Sequence, residues 1–126
     1  MHKSKLCGFI IDCHTNDLPA AAKFCGSALG MSTQYDPAID GDNYVRLPDP
    51  LQRLHVEVQA VSHPSRVHLD IEADDIEAEV KRLEDLGAKR ISEIKSWWVM
   101  EAPTGQRFCV VRKSSPDFDT TANVWS

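Results

Sequence analysis

The chain has 126 residues, 42% of them hydrophobic and 26% charged, a globular composition long enough to bury a core without disulfide or metal staples. Lys+Arg 14 against Asp+Glu 19 leaves a formal net charge of -5 with the basic residues scattered, which argues against a nucleic-acid-binding surface. The apolar runs fall far short of the roughly 20 residues that span a bilayer, and residues 1–5 lead into no signal-peptide core. The expectation is a single domain over residues 1–126 with a cytoplasmic location and no nucleic-acid or membrane partner. Cys7, Cys13, Cys25 and Cys109 form no C-x-x-C pair, so reduced thiols packed as small hydrophobes are expected.

In chain order, residues 6–13 read as a strand whose consecutive Phe9, Ile10 and Ile11 suit cover on both faces. A helix follows from Asp17, with Pro19 in its first turn and Gly30 as its stop. Shorter strands at 43–47 and 54–61 are bounded by Asp40-Gly41-Asp42, Pro48-Asp49-Pro50 and His63-Pro64-Ser65. In 66–71, Val67, Leu69 and Ile71 alternate with Arg66, His68 and Asp70, which predicts a half-buried strand with the polar set on its wet face. Asp74 and Glu77 make a D-x-x-E cap for a second helix, with Ile76, Val80, Leu83 and Leu86 on one stripe and Gly87 at its end. Strands at 90–94, 97–101 and 108–113 complete the pattern. The polar tail 114–126 reads as loose by composition, with Trp125 its one docking residue.

The chain echoes itself. Asp17-Leu18-Pro19-Ala20, Lys23 and Leu29-Gly30 recur as Asp75-Ile76-Glu77-Ala78, Lys81 and Leu86-Gly87, an offset of 58 residues that shortens to 57 at the end. Two half-domains are implied, about 6–61 and 66–113, each a strand, a helix and two or three further strands. The fold class is α+β.

With these residues in place, the chain resembles the vicinal oxygen chelate superfamily of glyoxalase, bleomycin-resistance and extradiol dioxygenase proteins, in particular the single-domain bacterial glyoxalase-like proteins. The segments that carry the likeness are 66–71, 74–80, Leu83, 86–88, 97–99 and 103–111, with Asp17, Phe24 and Leu29-Gly30 in the first half. The resemblance implies paired β-α-β-β-β modules with curved half-barrel sheets and outer helices, a small-molecule cleft and a homodimer. Metal-dependent members draw His or Gln from each first strand, seven residues before the helix-opening Asp, and Glu from a late strand of each module. His68 fits the second first-strand position, whereas Ile10 occupies the first and cannot ligate. The late-strand position after the Pro103-Thr104-Gly105 turn falls at Cys109, and its counterpart is Glu57 or Gln59.

No cofactor is therefore expected, although His68, Glu57 and Cys109 would make a three-ligand set for a divalent metal if one binds. The reading is a small-molecule-binding protein that lacks the full metal site. The alternative is a lyase or isomerase, or a dioxygenase-like enzyme, with His68 and Asp70 as its acid–base pair. His55, Glu57 and Gln59 share one face of their strand, set toward the cleft by the resemblance or toward water by a solvated sheet. Trp97 and Trp98 point to opposite faces, one core and the other cleft or dimer interface. Arg46 and Arg107 are either carboxylate clamps or surface ion-pair residues.

Overall fold

The computed structural model describes all 126 residues, Met1–Ser126. The elements run β1 (His2–His14), α1 (Leu18–Leu29), α2 (Pro37–Asp40), β2 (Tyr44–Arg46), β3 (His55–Val61), β4 (Arg66–Ala73), α3 (Ile76–Asp85), β5 (Lys89–Ile94), β6 (Trp97–Glu101), β7 (Arg107–Arg112), α4 (Phe118–Thr121) and β8 (Asn123–Trp125). The α+β class stands. Two compact units emerge, residues 8–67 and residues 1–7 together with 68–126, so β1 begins in one unit and ends in the other.

In the unit 8–67 the strand order is β2-β3-β1. β1 runs parallel to β3, a pairing that requires a crossover, and α1 supplies it. Asp17 caps α1 by accepting from the Ala20 N–H at 3.1 Å, and Gly30 closes it in the left-handed region at φ 68°. Ala22 of α1 packs with Val45, Leu47, Val56 and Val58, and Phe9, Ile11, Cys13 and Cys25 flank them. The parallel strands lie so close that a Cβ on Gly8 would sit 1.8 Å from the His55 carbonyl oxygen. Between α1 and β2, besides the short α2, the chain adds one isolated bridge, Gln34 to Arg46.

The other unit completes β-α-β-β-β, with strand order β4-β7-β6-β5. α3 lays Val80 and Leu83 on Ala73, Met100, Phe108 and Val110, with Ile71 and Trp98 alongside. Its cap differs from the expectation by one residue. Asp75 accepts from the Ala78 N–H at 3.0 Å, while Asp74 accepts the Lys3 N–H at 2.9 Å. A long-range partner for Asp74 is invisible to a capping pattern.

Two further expectations are corrected. On β4 the alternation is right but the faces are exchanged: His68 and Asp70 side chains are 12% and 14% exposed, whereas Val67 and Leu69 are 59% and 51% exposed. Only Ile71 and Ala73 join the core beneath α3. The tail is not loose. Its Ser114 and Ser115 N–H groups donate to the buried Glu72 carboxylate at 2.9 and 3.0 Å, Phe118 is buried, and β8 pairs with the start of β1. The Trp125 indole N–H donates to Ser4 Oγ at 2.8 Å, and the Arg82 guanidinium lies 3.8 Å from its ring centre. Arg82 is in turn held by the buried Glu79, which also meets His2 Nε2 at 2.8 Å. Composition reports none of these partners because each is distant in sequence.

Candidate metal centre and ligand face

Strand register builds the site. β4 is parallel to β7 with Asp70 opposite Cys109, and β7 is antiparallel to β6 with Cys109 opposite Val99. Alternation then sets His68, Asp70 and Glu72 of β4, Arg107 and Cys109 of β7, and Trp97, Val99 and Glu101 of β6 on one face. Ile71, Val110, Trp98 and Met100 occupy the other face, in or against the core. Trp98 is thus the core tryptophan, with the Arg90 guanidinium 5.1 Å from its ring centre, and Trp97 shares the face of Cys109.

On this face one donor atom each from His68, Asp70 and Cys109 lies within 4.8 Å of the others. His68 Nε2 and an Asp70 carboxylate oxygen are 3.5 Å apart. Imidazole, carboxylate and thiolate are together a zinc-type donor set, and three ligands leave a position open for a ligand oxygen. Asp70, not Glu57, therefore stands with His68 and Cys109. Arg107 bonds Glu101 through Nε at 3.2 Å rather than standing free as a carboxylate clamp. Cys7 and Glu72 lie close by. Burial, followed by the Glu72 and Asp70 charges, pushes the Cys7 thiol up to about 12. Burial also opposes the Glu72 charge, yet the Ser115 and Ser114 donors outweigh it and hold that carboxyl below its usual range.

The equivalent face of the unit 8–67 is also polar. Register places Gly8, Ile10 and Asp12 beside His55, Glu57 and Gln59, which in turn face Arg46 and Tyr44. Each polar group there is engaged locally: the His55 ring with Glu57, the Gln59 amide donating to Tyr44 Oη at 2.8 Å, Arg46 with Asp40 at 2.8 Å, and Arg66 with Asp12 at 3.6 Å. Register also decides the alternative left open between Glu57 and Gln59. Asp12 pairs with Gln59 as Asp70 pairs with Cys109, so Gln59 is the counterpart of Cys109 and Ile10 that of His68. One module holds the three-donor cluster, and its twin has an apolar, buried Ile10 at the corresponding place.

The family comparison bears on this arrangement. The sequence model of the glyoxalase-like domain matches residues 8–111. The chain belongs to the glyoxalase-like domain family. No curated protein matches the sequence. Among solved structures, a hypothetical protein from Bacillus halodurans C-125 is similar at TM-score 0.63 and 14% identity, covering 88% of this chain and 95% of its own. A structure titled NAD-dependent benzaldehyde dehydrogenase from Legionella pneumophila reaches 0.61 at 9% identity, covering 84% and 99%. A methylmalonyl-CoA epimerase in complex with methylmalonyl-CoA and NH4+ reaches 0.52 at 12% identity, covering 86% and 95%. At these identities the likeness is one of fold, and this glyoxalase-like chain sits in the vicinal oxygen chelate superfamily. No helix is long and apolar enough to cross a membrane.

Asp70 as a candidate ligand and Glu72 as its neighbour were not singled out together by sequence reasoning. The signal was present in the i, i+2, i+4 spacing of His68, Asp70 and Glu72 on one strand.

Proposed function

We propose that this glyoxalase-like protein binds a small organic molecule through an oxygen donor at a divalent metal ion held by His68, Asp70 and Cys109. The observation that carries the reading is the convergence of three chemically suited donors within 4.8 Å on one sheet face. The sheltered placement of His68 and Asp70 supports it, because withdrawing two ionisable side chains from water costs free energy that a purely structural strand would avoid. A bound ion would supply Lewis acidity to the ligand oxygen. The protein's own part is to present three donors from adjacent strands and to place Trp97 on the same face as an apolar wall for the ligand.

A second reading keeps the site free of metal and makes it a lyase or isomerase site with His68 and Asp70 as the acid–base pair, favoured by their 3.5 Å approach. Cobalt(II) titration separates the two. The metal reading predicts a thiolate-to-cobalt charge-transfer band that disappears in Cys109→Ser; a titration with no band in the parent protein would leave the acid–base reading. Assembly as a homodimer belongs to the same proposal, supported by the exposed Leu6 and Leu69. Light scattering of the purified protein tests the stoichiometry, with a monomer overturning it.

A further inference from the structure

We propose that Cys13 and Cys25 form a dithiol that a peroxide oxidises reversibly to an intramolecular disulfide joining β1 to α1. Three observations point to the pair. Register places Cys13 with Phe9 and Ile11 on the face of β1 that packs toward α1, and Cys25 of α1 flanks the same core cluster. Both side chains border Val45, Leu47, Val56 and Val58, Cys25 is a neighbour that acts on the Cys13 thiol, and Cys13 also donates to the Ile11 carbonyl oxygen at 3.8 Å. Both are half-buried, within reach of a small oxidant, whereas Cys7 and Cys109 are buried. The sequence hides the pairing, because the partners are separated by a turn and two helical turns rather than by the two residues of a C-x-x-C motif.

The chemistry is self-contained. The thiolate of one cysteine attacks a peroxide oxygen, breaking the O–O bond to give a sulfenic acid and releasing water after proton uptake. The second thiol then attacks that sulfur, an S–S bond forms as the S–O bond breaks, and the hydroxyl leaves with a proton as a second water. Two thiols lose two electrons and two protons, and the peroxide is reduced to two waters. A small dithiol reductant reverses the change by exchange. Burial, followed by the neighbouring Cys25, raises the Cys13 thiol above its ordinary range, so its thiolate is scarce at neutral pH and the pair oxidises slowly, under sustained peroxide. The link would close a short loop containing the first helical turns and fasten α1 to the strand that it covers.

The test treats the full-length protein with hydrogen peroxide, alkylates the remaining thiols and maps the peptides without reduction. The expected result is loss of two hydrogens per chain, a linked peptide containing Cys13 and Cys25, full reversal by dithiothreitol, and a higher Tm for the oxidised form. Cys13→Ser and Cys25→Ser should each abolish the link, and mapping of the unmutated protein keeps the test decisive if either variant folds poorly. Four alkylatable thiols after peroxide, sulfinic acid at either position without a link, or a link through Cys7, Cys109 or a second chain would each overturn the proposal.

Discussion

Replacing Glu72 by Gln tests how the candidate centre is anchored. Glu72 lies two residues beyond Asp70 on β4, is fully buried, and accepts the Ser114 and Ser115 N–H groups at 2.9 and 3.0 Å together with the Ser115 hydroxyl. Hydrogen bonds to a charged acceptor contribute about 1.5–3 kcal/mol each against about 1 kcal/mol for neutral ones. Three such bonds, less the relief of no longer burying a charge, give a loss of about 2 kcal/mol for Glu72→Gln. At about 2.1 cal/mol/K per residue of unfolding entropy, that lowers Tm by roughly 8 °C. Glu72→Ala, which strands all three donors, should lose about 4 kcal/mol. The sign of the pH dependence follows from the depressed folded-state pKa. The stabilisation is fully present above the unfolded carboxyl value of about 4.3 and is lost as pH falls through the lower folded value. Urea melts of both proteins between pH 3 and 7 should therefore show a constant gap above about pH 5 that narrows on acidification. A gap below 0.5 kcal/mol at pH 7, or one that widens toward pH 3, would refute the reasoning.

Three other outcomes are expected. Trp125→Ala removes the indole bond to Ser4 and the stacked Arg82, which should cost about 2 kcal/mol in a urea melt and release β8 to fast amide exchange. Gly8→Ala forces a Cβ against the His55 backbone and should cost about 4 kcal/mol or more, seen as loss of soluble folded protein in circular dichroism. Cys7, whose thiol burial pushes up to about 12, should resist iodoacetamide at pH 8 in the native protein and react after denaturation, as read by peptide mass.

The fold was legible in the sequence where periodicity and turn chemistry agree. The echo of Asp17 to Gly30 in Asp75 to Gly87 located both helices, and the Pro and Gly turns separated the strands. Period two on β4 was equally visible, but periodicity names two faces without saying which is sheltered. That depends on where α3 lies, and α3 covers Ile71 and Ala73 but leaves Leu69 exposed. His68 and Cys109 were readable as a candidate pair from the family spacing and Asp70 as the neighbour of His68 from strand alternation, but only the parallel register brings Asp70 to Cys109. The tail and the Cys13–Cys25 contact depend on partners far along the chain or across an element, which no local pattern encodes.

The central claim is that His68, Asp70 and Cys109 hold a divalent ion. It is tested most directly by elemental analysis of protein purified without an affinity tag, beside His68→Ala and Asp70→Asn of confirmed fold. Near-stoichiometric zinc, iron, nickel or manganese that falls to background in both variants is the predicted result; background metal in the parent protein, unchanged after incubation with zinc, would contradict it.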